Sequence, residues 1–328
     1  MKLARRTFLH LTALTTAIAI LSVVLPADGA WSQTAKTIKI VAPTAPGGVG
    51  DTVARLVGEQ IGRVDAQSVL IENRTGAGGV IAADAVSRAA PDGNTLLIVS
   101  PDTLVPPHLR KLNFDLLTGF EPICDLVNAP TVIVVNAASP YRTLGDLLSA
   151  ARAKPGSLTL ASFGPATSLQ IAFEMLRRRA NVDLTFLPYP GAAPAVNALL
   201  GDHVTSVFAS YSTASEQLNA GRLRAVAVAT RTRIEPLPEV PTVAESGYKD
   251  YEFDYWIGVL APAKTPKEKL AQLAGWFTAA LRAPEFTAKL APLGLFPVGM
   301  CGADFGALLR KQYTDFGRVI RQANIKAE

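Results

Sequence analysis

Cysteine and histidine are scarce in this chain. Its 328 residues include two cysteines, Cys124 and Cys301, and three histidines, of which His10 lies in the N-terminal leader. His108 and His203 have no cysteine or carboxylate at metal-ligand spacing, so no metal pattern is present, and no cofactor motif either. Two cysteines this far apart do not establish a disulfide without geometry. Aromatic residues make up 7% and no long basic run occurs, although the formal charge is +5; nucleic-acid binding is thereby disfavoured. Beyond the leader, no uninterrupted apolar run reaches the ~20 residues of a membrane span. Internal repeats and low-complexity segments are missing too.

The leader carries clear signals. Arg5-Arg6-Thr7-Phe8-Leu9 is a basic start with a twin arginine, residues 11–25 are apolar and uncharged, and Pro26-Ala27-Asp28-Gly29-Ala30 offers small residues for cleavage. Residues 1–30 read as a signal peptide, cut between about 29 and 35, and the arginine pair points to the twin-arginine export route. A retained membrane anchor is the competing reading; the short apolar run speaks against it, as does the absence of a lipobox cysteine. The mature chain is expected in the periplasm.

What the chain has in quantity is apolar surface, 49% of its residues, enough for two lobes of about 100–200 residues each. The pivotal stretch is 38–57. Residues 38–42 read as a buried strand and 43–50 as a glycine-rich loop. Val49, Val53, Leu56 and Val57 then recur at helical spacing, so a helix starts near 48–51. Strand, glycine loop and helix together make an anion site in α/β proteins, because the first helical turn has unpaired N–H groups at a positive dipole end. The nucleotide versions fail. A P-loop needs Lys and Ser/Thr where Asp51 stands, and Gly47-Gly48-Val49-Gly50 is not G-x-G-x-x-G. The bland alternative is a simple turn, with Asp51 favouring the helix start electrostatically.

The alternation continues. Strands are expected at 68–72, 95–99, 131–135, 158–161, 182–187, 204–209 and 223–229. Helices are expected at 80–90, from Thr143, and at 168–178, 193–200 and 210–220. Past Pro236 the pattern changes to an aromatic strand-like run at 251–260 and helices opening near Thr265, Pro284 and Asp304. Short apolar strands alternating with helices predict an α/β fold of mostly parallel sheets covered by helices, in blocks of about 36–125 and 130–230.

One catalytic arrangement is worth weighing. Ser162, at a strand–turn–helix junction, is followed in order by Asp183 and His203, as in a serine hydrolase. Leu160 stands where the nucleophile elbow needs its first glycine, so a hydrolase is a distant alternative and the chain is read as a non-enzyme. Ser100, Ser162, Thr167, Ser168 and Ser210 read better as loop hydrogen-bonding groups or helix caps, with capping the plain role for Thr167.

Several motifs, in order, resemble one family. They are Pro46-Gly47-Gly48-x-x-Asp51, Glu72-Asn73-Arg74-x-Gly76-Ala77-Gly78-Gly79 and Pro91-Asp92-Gly93-x-Thr95. Further on come Pro188-Tyr189-x-Gly191-x-Ala193-Pro194, Gly221-x-Leu223-Arg224-Ala225 and Pro238-Glu239-Val240-Pro241-Thr242. Together they resemble the Bug-type extracytoplasmic solute-binding receptors of tripartite tricarboxylate transporters, over nearly all of residues 36–325. The resemblance implies a two-lobed periplasmic-binding-protein architecture with a hinged cleft. One lobe would be 36–128 plus 255–328, and the other 129–254. It also implies a ligand, a small carboxylate, held by Thr44, Ala45, Pro46, Gly47, Gly48, Asp51, Ser100 and Thr103 from the first lobe. The second lobe would contribute Ser162, Gly164, Thr167, Ser168, Tyr189, Gly191, Ala192 and Ser210. Thr44, Ala45, Gln170 and Ala209 depart from the family's usual residues, and the loop 100–105 is shorter than usual, all around the expected cleft.

The expected function is therefore capture of a small organic acid and its delivery to integral membrane transporter subunits. The alternative is a periplasmic sensor that presents its liganded form to a membrane kinase, which would share the same fold. Oligomeric state is not readable. No Arg or Lys occurs in the loops 43–51, 162–168 or 188–192, so an anion there would rest on backbone N–H groups and helix starts. On that reading Gly48→Val would obstruct the ligand while leaving the fold intact.

Overall fold

The computed structural model describes residues 37–65 and 67–326; the leader and its export signal lie outside them. In order, the first part comprises β1 (Ile38–Ala42), α1 (Val49–Asp65), β2 (Val69–Asn73), α2 (Val80–Ser87), β3 (Thr95–Val99), α3 (Pro106–Leu109) and β4 (Phe120–Asn128). The middle comprises β5 (Thr131–Asn136), α4 (Leu144–Ala153), β6 (Thr159–Phe163), α5 (Ser168–Ala180), β7 (Thr185–Tyr189), α6 (Ala192–Leu200), β8 (Ser206–Ser210), α7 (Tyr211–Asn219) and β9 (Leu223–Val228). The last part comprises β10 (Trp256–Pro262), α8 (Lys267–Arg282), α9 (Pro284–Leu290), β11 (Phe296–Cys301) and α10 (Ala303–Ala323). Among the described residues no helix is long and apolar enough to cross a membrane.

The strands form two sheets, ordered β11-β4-β10-β3-β1-β2 and β7-β6-β8-β5-β9. Both are mixed. β1 pairs parallel with β2 and β3, and β6 pairs parallel with β7 and β8. The remaining pairings are antiparallel: β10 with β3 and β4, β11 with β4, and β5 with β8 and β9. The parallel part follows from strand–helix alternation. The antiparallel strands β4 and β11 escape sequence patterning for a local reason. β4 carries Pro122 and Asp125 inside it, and β11 carries Pro297 and Gly299, residues that normally argue against a strand. β11 tolerates its proline because it is an edge strand, paired on one side to β4 with a register shift between Pro297 and Met300. A disulfide from Cys124 to Cys301 joins that edge to the sheet, between residues already opposite each other in register. Tying positions 177 apart in sequence removes chain entropy from the unfolded state, worth ~2–4 kcal/mol.

The strands are apolar on both faces because both faces are covered. Ile38, Ile40, Ala42, Leu96 and Ile98 point into one buried cluster with Val53, Val57 and Ile61 of α1 and Leu273 and Phe277 of α8. Their neighbours Val41, Leu97 and Val99 point the other way, into a second cluster. That cluster also contains Ile133, Val135, Leu160 and Phe208 from the other sheet, and Phe305 and Phe316 from α10. The period-2 alternation of a strand is what splits these residues between layers. Val132, Val134, Val207 and Ala209 face a third cluster with Ala195, Val196 and Leu199 of α6.

The chain passes between the sheets twice, at 129–130 and 253–256, and the two passages lie side by side. Ala129 N–H donates to the Tyr255 carbonyl at 2.6 Å and Asn128 Nδ2 to Asp254 Oδ1 at 3.0 Å. α10 packs against α5, reaching from the first sheet's layer to the second's.

Candidate functional site

Because β1, β2 and β3 run parallel, their C-terminal ends share one edge, and the loops 43–48, 74–79 and 100–105 follow from it. Likewise β6, β7 and β8 end together, in the loops 164–167 and 190–191 and in the direct strand–helix junction at 210–211. Ligand sites of open α/β sheets lie at such ends. All sixteen residues singled out from the sequence fall in these loops, at the strand ends beside them or in the first helical turns that follow.

The first loop is held from within. Asp51 is 2% exposed and its carboxylate accepts from Gly47 N–H at 2.9 Å, Arg55 Nε at 2.9 Å and Asn73 Nδ2 at 2.8 Å. Burial pushes this carboxyl up, but the hydrogen bonds from Arg55, Gly47 and Asn73 together outweigh it and hold it below its ordinary value. Asp51 thus acts as the loop's internal anchor. Thr44 does related work: its Oγ1 accepts from Asp51 N–H at 3.0 Å and its carbonyl from Asn73 Nδ2 at 2.9 Å. Gly48 N–H donates to the Ala45 carbonyl at 3.0 Å. Of the N–H groups at the start of α1, Asp51's and Thr52's are therefore engaged, whereas those of Val49 and Gly50 have no acceptor among the described residues. Ala45, Pro46 and Gly47 form the exposed tip, where Gly47 has φ +82°.

The neighbouring loops close on this one. Gly79 has φ +88°, a conformation that favours glycine, and a Cβ on it would stand 3.3 Å from Pro43 Cβ and 3.7 Å from Thr103 Oγ1. Ser100 N–H donates to Thr103 Oγ1 at 3.3 Å, and Thr103 N–H to the Ser100 carbonyl at 2.9 Å, closing a turn in which Thr103 is buried.

On the second sheet Ser162 is fully buried and its hydroxyl donates to the Phe208 carbonyl at 2.9 Å. His203 and Asp183 precede β8 and β7, at the strand ends opposite to Ser162, so the serine-hydrolase arrangement is not assembled. Thr167 caps α5 by accepting from Gln170 N–H at 3.4 Å, and Gln170 Oε1 in turn accepts from Ala166 N–H at 2.7 Å. Gly164, with φ +63°, donates its N–H to the Tyr189 carbonyl. Gly191 precedes α6 without any side-chain cap, which leaves the first N–H groups of that helix, starting at Ala192, without a side-chain acceptor. Ser210 Oγ lies 2.8 Å from Thr213 Oγ1 and 3.1 Å from Ser212 Oγ at the start of α7.

Sequence reasoning singled out Ser168 but missed Asp102 and Tyr255, which with it join the two sets of loops. Asp102 Oδ1 accepts from both Ser168 N–H, at 2.9 Å, and Ser168 Oγ, at 2.6 Å. Its Oδ2 accepts from the Tyr255 hydroxyl at 2.8 Å. Burial and the Asp102 charge push that phenol well above its ordinary range, so it stays a donor. Beside this junction lies a cavity of about 460 Å³, lined by Gly78, Asp102, Arg110, Phe163 and Thr167 among others. Arg110 supplies a cation that the loops 43–51, 162–168 and 188–192 lack, because it arrives from the end of α3. Asp102 stood in a loop already noted for hydrogen-bonding groups, but no pattern in the sequence marks an acid as the cap of a distant helix.

Comparison with known proteins fits this geometry. The profile of the tripartite tricarboxylate transporter family receptor matches residues 53–325. A UPF0065 protein of Pseudomonas sp. strain P51 is 34% identical over 294 residues, 89% of this chain and 88% of its own length. The periplasmic binding protein BugD has the same fold at 30% identity and a TM-score of 0.72, over 89% of this chain and 99% of its own. An R. palustris protein solved with adipate is similar at 30% identity and a TM-score of 0.75, over 88% and 98%. The two-sheet α/β architecture and the paired loop sets are those of a periplasmic solute-binding protein. This chain belongs to the tripartite tricarboxylate transporter receptor family.

Proposed function

We propose that the exported chain captures a small carboxylate-containing solute between two lobes, 36–128 with 255–328 and 129–254. It then delivers that solute to the membrane subunits of a tripartite tricarboxylate-type transporter. The observation that carries this reading is the facing of two loop sets across the Asp102–Ser168 junction, each at the C-terminal ends of parallel strands. Open first-turn N–H groups at α1 and α6 offer donors for an anion. Thr44, Asp51, Ser162 and Thr167 shape the loops, and the open backbone N–H groups of Val49, Gly50 and Ala192 are donors for the solute's polar groups. The disulfide agrees with an oxidising compartment, and Arg5-Arg6 with the twin-arginine route to it.

A thermal-shift screen of the mature protein with organic acids tests this. A solute at 100 times its Kd adds about 2.7 kcal/mol to native stability. At least one acid is expected to raise the melting temperature by several degrees. A chain stabilised by no organic acid, in either salt or buffer series, is not such a receptor.

A further inference from the structure

The Asp102 junction and Arg110 narrow the solute class, an inference that rests on the receptor reading above. A helix N-terminus facing a cleft is where a solute carboxylate would dock. At α5 that seat is already filled. Asp102 comes from the loop after β3 and takes both donors that Ser168 offers, while Tyr255 takes its other oxygen. Ser168 is itself fully buried, so its N–H and hydroxyl have no second face to present. A solute carboxylate approaching there finds the donors used and a like charge beside it.

The same cavity holds the opposite charge at Arg110. Its guanidinium donates to the Ala77 carbonyl, and no carboxylate pairs with it among the described residues. A guanidinium presents several donors in one plane, matched to a carboxylate's two oxygens. Pro106, Leu109, Phe163 and Pro165 give the same cavity apolar walls, with the Thr167 side chain beside them.

We propose that the solute is a monocarboxylate with an apolar body, its carboxylate on Arg110, with Asp102 occupying the seat that a second carboxylate would need at the start of α5. Asp102 is then the residue that discriminates against dicarboxylates, and Arg110 the one that orients the acid.

Titration calorimetry with matched pairs of acids, hexanoate with adipate and benzoate with terephthalate, tests the inference. The wild-type chain is expected to bind the monoacid of at least one pair tenfold or more tighter than its diacid. Asp102→Asn keeps an acceptor for Ser168 but removes the charge; it should raise diacid affinity relative to monoacid affinity at least tenfold. Arg110→Gln should weaken the monoacid at least tenfold. Diacids bound by the wild type as tightly as monoacids overturn the inference even if the variants fail to fold. So does an unchanged ratio in a folded Asp102→Asn protein. If none of these four binds but another organic acid does, the receptor reading stands and this inference falls. If no acid binds, both fall.

Discussion

Asp125 is the residue most at odds with its surroundings. It sits inside β4, is 4% exposed, and one of its carboxyl oxygens is buried without a hydrogen-bond partner among the described residues. Burial pushes its pKa up, the nearby Asp254 charge adds to this, and the result is about 8. An unfolded aspartate ionises near its ordinary value of 3.8, so between about pH 4 and pH 8 the native chain holds a proton that the unfolded chain has released. Stability therefore falls as pH rises through that window, by at most ~1.4 kcal/mol per pH unit for this group. Asp254, also raised by burial, acts in the same direction. Asp125→Asn should flatten the fall in melting temperature across this range and leave the variant more stable than wild type at its alkaline end. A variant with an undiminished slope would place the effect elsewhere. At this scale the sequence was only partly legible. A hydroxyl or carboxylate can be read as a hydrogen-bonding group, but its partner depends on which distant backbone folding brings up to it.

At the scale of elements, the loop before α1 shows how a correct location can carry an incomplete role. Its position and glycines are evident from residues 38–57, and β1, the loop and α1 lie where the apolar spacing puts them. The use of its donors is a different matter. Gly47 N–H serves Asp51, Gly48 N–H serves Ala45, and a Cβ on Gly48 would stand 3.1 Å from both the Ala45 carbonyl oxygen and Thr44 Cβ. Gly48→Val therefore presses on the loop itself before it can meet a solute. It should cost ~1–3 kcal/mol of stability, as overpacking does, measured as a lower urea midpoint at unchanged m-value. Full retention of stability with loss of binding would instead support the simpler obstruction expected from the sequence. β4 and β11 were missed altogether, since proline, glycine and an acid inside them suppress the strand pattern and only pairing with β10 and with each other makes them strands.

For the whole molecule, two chain passages, the Asp102–Ser168 contact and the packing of α10 on α5 connect the halves. Such a layout has few backbone constraints against rotation, and hinges at 126–130 and 251–256 would absorb it. Solute binding is expected to change the small-angle scattering curve of the mature protein toward a smaller radius of gyration relative to the solute-free chain. Curves superimposable with and without saturating solute would mean that the sheets do not move.

Sequence alone determined the α/β class, the succession of most strands and helices, the loops at the strand ends and, through a string of short motifs, the family. Those features are local: hydrophobic period, glycine turns and capping patterns act within about one turn or one strand of chain. Tertiary structure alone decided the mixed sheets, the Cys124–Cys301 bond, the burial of Asp125, and the meeting of Asp102 with Ser168 and Tyr255. Each of these joins residues separated by dozens of positions or more. No period or motif encodes which of two distant polar groups will be buried together, because that follows from how the two sheets pack, not from the residues beside them in the chain.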